Sequence, residues 1–233
     1  VGIPLAVFLL LLAAPFIYRN LQLARIPDIG DPFDVEEFVN MEVADEENAF
    51  VEYRAATAIL VPLSTEADEG LDDALEKGWP SASEAVKKWV EDNRPAMEIW
   101  RQGTHKPDAL YNQPRDVSID TPLEVTLELR QFARLATLEG LRLETEGDMN
   151  AAWKWYRAMF RSSRHSGKCG GAIERLVGIA IHSMTVKCIE RWSRDPRVDA
   201  GMLRQALEQL QTDFRMTPPL STMVKIEYLV IKN

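Results

Sequence analysis

Histidine and cysteine are scarce in this chain of 233 residues, which holds three of the first and two of the second. Cys169 and Cys188 do not make a disulfide framework, and the pair is compatible with a reducing compartment and equally with export. His105, His165 and His182 include no His-x-x-x-His pair. None has a glutamate three residues before it, which disfavours di-iron and zinc-protease chemistry. A Walker loop and the dinucleotide glycine fingerprint are also missing, so neither a metal nor a cofactor is expected. Basic residues are outnumbered, 27 against 36, for a net charge of -9. Nucleic acid is then not an expected partner, because phosphate backbones bind basic surfaces that release counterions. No stretch alternates with period two over the length of a strand, and hairpin turn signals are missing. These absences leave an all-α protein.

What is present is helix periodicity with its punctuation. The reading is clearest between Thr121 and Trp192, where Pro122 to Glu146, the segment ending at Phe160 that follows the Gly147-Asp148 stop and cap, and Gly171 to Trp192 read as three helices joined by glycine turns. Before them, Asp45 is placed to cap a helix carrying Phe50, Tyr53, Ala56 and Ile59 up to Pro62. Ser81-x-x-Glu84 has the form of a capping box, and Pro95 suits a first helical turn. Thr104 to Asp120 shows no periodicity and reads as a surface loop and candidate binding edge. Two further helices are expected from about Asp199 and about Ser221, separated by Thr217-Pro218-Pro219.

Gly147-Asp148, Ala152 and Tyr156, with Gly140 where a small residue permits close crossing, resemble one tetratricopeptide (TPR) repeat over residues 133–166. Glu139, Met159 and Arg164 depart from that pattern, and Gly170-Gly171 interrupt the start of a second copy. The resemblance implies antiparallel, solenoid-like helical hairpins and a protein-binding scaffold more often than a catalyst.

Three regions are expected: a transmembrane anchor over 1–24, an acidic Pro/Gly linker over 25–44, and an all-α domain over 45–233. Val1 to Ile17 carries no charge, and as a helix it measures about 26 Å, slightly short of a ~30 Å hydrocarbon core. Tyr18, Arg19 and Arg25 follow as an interfacial edge. A cleaved signal peptide is the competing reading; Pro15 directly after Ala13-Ala14, and the lack of an Ala-x-Ala site, count against it. The chain opens on valine and stops inside a helical pattern, so truncation at both ends is expected. The localisation this suggests is a bacterial inner membrane, with the helical domain on the extracytoplasmic side. In the linker, Asp28, Asp31, Asp34 and Glu36 are hard oxygen ligands, but their spacing is not that of a calcium loop.

Lys154, Arg157, Arg161, Arg164 and Lys168 recur every three or four residues and form the one basic concentration in an acidic chain. Helical spacing places them opposite the packing face of Ala152, Trp155, Tyr156 and Met159. They read either as a solvated stripe facing Glu144 and Glu146 or as a docking strip for an acidic partner segment or a phosphate-bearing ligand. Trp153 beside them is a candidate anchor. Gly167-Lys168-Cys169-Gly170-Gly171 fits a nucleophile-elbow spacing, but a helix enters where the elbow needs a strand. The leading expectation is a membrane-tethered interaction scaffold with a protein partner. The alternatives are a membrane-anchored hydrolase or transferase using Cys169 with a histidine, and a structural subunit of a membrane assembly.

Overall fold

The computed structural model describes residues 30–232 together with residues 14, 15, 18–20, 22 and 25. The expected anchor over 1–24 lies for the most part outside them, and among the described residues no helix is long and apolar enough to cross a membrane. The chain divides into two units, Val1–Glu37 and Phe38–Asn233. Helices with connecting loops and two 3-10 turns make up the described residues, without a strand, so the all-α expectation holds.

A short helix, α1 (Val35–Val39), occupies part of the stretch expected as linker. Its start is held by Asp34, whose carboxylate accepts from the Glu37 amide at 2.9 Å. Helix α2 (Ala49–Ala58) begins later than expected, capped by Asn48 and not by Asp45. The choice follows from chemistry, since an amide side chain both donates and accepts. Asn48 accepts from the amides of Phe50 and Leu110 and donates to the Leu110 carbonyl at 3.0 Å.

Helices α3 (Thr65–Lys77) and α4 (Glu84–Asp92) are capped by Ser64 and Ser83, whose hydroxyls accept from the amides of Ala67 and Val86. Ser81, expected to open α4, instead ends a 3-10 turn over Trp79–Ser81. Helix α5 (Arg94–Gly103) has Pro95 in its first turn, where a missing N–H costs nothing. Buried Asn93 at the α4–α5 corner donates to the Val61 and Trp89 carbonyls and accepts from the Val61 amide.

The centre of the fold is α6 (Glu124–Glu146), α7 (Met149–His165) and α8 (Ala172–Ser193), each packed on the other two. Gly147 at φ 90° and Asp148, which caps α7 by accepting from Ala151, make the tight α6–α7 corner. The apolar faces of these helices enclose Phe132, Leu135, Leu138, Tyr156, Ile181 and Trp192, whereas Leu127 near the start of α6 is exposed. Trp100 of α5 stacks on Phe132 with ring centroids 5.8 Å apart. Helix α9 (Ala200–Phe214), capped by Asp199, lies on α7, and α10 (Leu220–Lys232) lies on α8.

Candidate functional site

The C-terminal end of α5, the outer face of α7 and helix α9 enclose a concavity of about 330 Å³ lined by Arg101, His105, Trp153, Lys154, Arg157, Arg161, Gln205 and Gln209 among others. Three of the five basic residues singled out by spacing are therefore in one pocket. Of the two readings of that stripe, a wholly solvated face does not describe Arg157 and Arg161, which α9 partly covers, while Lys154 is exposed.

Asp213, in the last turn of α9 and fully buried, ties α9 to α7. Arg157 gives it two hydrogen bonds, 2.7 Å from Nε and 3.1 Å from Nη2, and Arg161 adds a third through Nη1. A carboxylate at a helix C-terminus faces the negative end of the backbone dipole, so two guanidiniums offset both that field and the cost of burial. Arg161 also donates to the carbonyls of Thr104, His105 and Lys106, closing the end of α5. Arg157 and Arg161 are thus staples that form the wall of the pocket.

The remaining charge is not consumed in this way. Arg101 pairs with Glu98 and lies over the Trp155 ring at 5.8 Å. Exposed Lys154 has no acidic partner among the described residues. Four cations face the pocket and two carboxylates, Glu98 and Asp213, answer them, so two positive charges are left over. Burial, and then the charges of Arg101, Arg161 and Arg157, push the His105 imidazole below its ordinary range. Gln209 accepts from the Trp153 indole at 2.7 Å, which leaves its amide nitrogen as the donating end. Charge, donors and a buried aromatic wall together suit a carboxylate-bearing ligand.

The other two predicted residues lie elsewhere. Arg164 donates to Nδ1 of His182 at 2.9 Å. Lys168 binds the Pro107 carbonyl at 2.9 Å and Asp108 at 3.1 Å. The acids expected to face the stripe are also committed: Glu144 to Tyr156 and Arg191, Glu146 to Arg142. The segment Thr104 to Asp120, expected as a surface loop, buries Ala109, Leu110 and Val117. It is pinned from beneath by Asn48, Arg161 and Lys168, and so it reaches the pocket only through Thr104 and His105.

The Cys/His alternative finds no pairing. Both ring nitrogens of His165 are engaged, Nδ1 with the Tyr53 hydroxyl at 2.7 Å and Nε2 with the Lys106 carbonyl at 3.2 Å. A carbonyl only accepts, so Nε2 carries the proton and Tyr53 donates to Nδ1. Cys169 is half-buried with its sulfur 3.7 Å from that of Met41, and burial pushes its thiol up to about 11, the opposite of an activated nucleophile.

Burial holds His165 neutral down to a pKa of about 3. The unfolded chain, with an ordinary histidine value near 6.5, takes up the proton first as pH falls. Stability due to this group is therefore complete above about pH 6.5 and declines by roughly 1.4 kcal/mol per pH unit below it. We expect His165→Gln to be less stable at pH 7 and to lose stability less steeply on acidification. Denaturant midpoints measured from pH 7 to 4 should converge for the two proteins, and parallel curves would contradict a buried neutral imidazole.

A second concavity, about 540 Å³ and more open, lies between α3, α6 and α8, with Leu75, Thr137, Met184 and Cys188 at its walls. Its Asp72 and Glu76 balance Lys187 and Arg191, and Arg191 is itself held by Glu144 and the Tyr156 hydroxyl. It has no excess charge to select a ligand. Among the described residues no group of three metal-ligating side chains converges. Comparison with protein-family models, with curated proteins and with solved structures finds no match to this chain. The class is thus defined by its own geometry, an all-helical domain with a basic pocket walled by a buried ion-pair cluster.

Proposed function

We propose that the protein is a membrane-tethered helical interaction scaffold, with TPR-like hairpins, that docks an acidic partner segment in the basic pocket between α5, α7 and α9. The observation that carries this reading is the pair of uncompensated positive charges facing one concavity in a chain of net charge -9. A net negative charge disfavours acidic partners in general, so a locally basic pocket steers as well as binds. The tether rests on the uncharged run Val1 to Ile17 followed by Arg19 and Arg25.

The test separates docking charge from structural charge. Lys154→Glu combined with Arg101→Gln changes the unpaired lysine and the arginine paired with Glu98, neither of which bonds to Asp213, and leaves the Asp213 cluster intact. Full-length protein, captured from its native membrane in mild detergent, should bring a stoichiometric companion that leaves in roughly 0.5 M salt. The double variant should lose it while keeping wild-type stability. A companion retained by the variant would remove the pocket from the account, and a protein captured alone would remove the scaffold reading.

A further inference from the structure

The C-terminal end of α7 meets the N-terminal half of α8 unusually closely. A Cβ at Gly178 would lie 2.7 Å from the Ser163 carbonyl oxygen, and one at Gly167 would lie 2.9 Å from the Arg175 Cα. This approach brings Arg164, Arg175 and His182 to the wall of one small concavity of about 60 Å³, closed on another side by Thr217 and Pro218. A water needs about 10–15 Å³ of such space, so there is room for one compact tetrahedral ion or a few waters.

The charges at this place are not balanced. Among the described residues neither Arg164 nor Arg175 has a carboxylate within ion-pair distance. Arg175 reaches only the Pro218 carbonyl, at 3.4 Å. Arg164 is held between the rings of Phe160 at 4.5 Å and Phe214 at 5.4 Å, and its Nε–H is buried without an acceptor. The dipole at the end of α7 favours a cation but supplies no full counter-charge. His182, also at the wall, accepts from Arg164 at Nδ1, so its proton is on Nε2. Two guanidiniums with no acid between them, one of them held between two aromatic rings, form a donor set for an oxyanion.

We propose that this concavity is a phosphate site, in which Arg164 and Arg175 bind a tetrahedral phosphate dianion. A phosphate carries close to two negative charges at neutral pH, which matches the two unanswered guanidiniums, whereas one carboxylate would leave one of them unpaired. Inorganic phosphate and a phosphate monoester on a partner share this chemistry. The site is independent of the basic pocket, with which it shares no lining residue.

The experiment is calorimetric titration of the full chain in detergent with inorganic phosphate and with O-phosphoserine, against sodium chloride at matched ionic strength. Saturable one-to-one binding of inorganic phosphate is expected, with affinity lowered at least tenfold in Arg175→Gln and unaltered in Lys154→Glu. Binding of O-phosphoserine as well would assign the site to a monoester; binding of inorganic phosphate alone would assign it to the free ion. Arg164→Gln removes a partly buried side chain, so Arg175→Gln, at a half-exposed position, is the deciding variant. Two results would overturn the proposal: no binding beyond that of chloride, or binding that survives Arg175→Gln and disappears with Lys154→Glu.

Discussion

Replacing Asp213 by asparagine is expected to destabilise the domain by about 3 kcal/mol, with a fall in melting temperature of roughly 10 °C. The side chain keeps its size, so packing is unchanged and the loss is electrostatic. Asp213 is fully buried and receives three hydrogen bonds from Arg157 and Arg161. An amide leaves two guanidiniums facing each other with no charge between them, and one of its two positions now donates where an acceptor is needed. Arg157 and Arg161 keep some solvent contact, with side chains 29% and 13% exposed, so the loss belongs at the lower end of the range for breaking buried pairs. Lys154→Gln on the same face should cost less than about 0.5 kcal/mol, because no partner depends on it. Urea melts of the two variants side by side would show the contrast. Equal, small effects would mean that α9 is not held by Asp213.

Gly140→Ala is expected to cost about 2 kcal/mol or more, although alanine is the better helix former by about 1 kcal/mol. An added Cβ would lie 2.3 Å from the Tyr156 ring and 2.5 Å from its hydroxyl. The ring cannot give way cheaply. Its hydroxyl donates to Glu144 at 2.7 Å and accepts from Arg191 at 2.9 Å, and the side chain is fully buried. The helices α6 and α7 must therefore part, or that triad must break. Tyr156→Ala, which is destabilising alone, removes the obstacle. The double variant Gly140→Ala/Tyr156→Ala should then be markedly more stable than the sum of the two single losses. Strict additivity in denaturant unfolding would show that the two positions are not in contact.

The helices were legible because their signals are local. Gly147 and Asp148 end one helix and cap the next within two residues, and Asp199 and Pro218-Pro219 do the same for α9 and α10. Caps are not legible where the capping residue is chosen by a distant partner. Asn48 displaces Asp45 because it also brackets Leu110, 62 positions away. The pocket was half legible on the same grounds. Spacing along α7 collected Lys154, Arg157 and Arg161 on one face, but a wheel drawn for one helix does not show which helix covers that face. Arg101 and His105 enter from α5, and Asp213 from 52 to 56 positions away. A signal for Asp213 was available in α9, where Ala206, Leu210 and Asp213 fall at i, i+4 and i+7. An acid on the buried stripe of an amphipathic helix requires a cationic partner, and α7 offered two. The same pairing changes which residues are worth reversing. Arg157 and Arg161 hold the fold, so loss of binding after changing them would not distinguish docking from unfolding; Lys154 and Arg101 do not carry that ambiguity.

The central claim is that the pocket beside Trp153 receives an acidic segment. The most direct test follows the indole N–H of Trp153, bonded to Gln209 inside the pocket, by ¹⁵N-correlated NMR as a short Asp/Glu-rich peptide is added. This resonance should move saturably at low salt and return as ionic strength rises, while the buried indoles of Trp192 and Trp100 stay in place. In Lys154→Glu the movement should vanish. A Trp153 signal unmoved by the peptide, or one that moves equally in Lys154→Glu, would contradict the account.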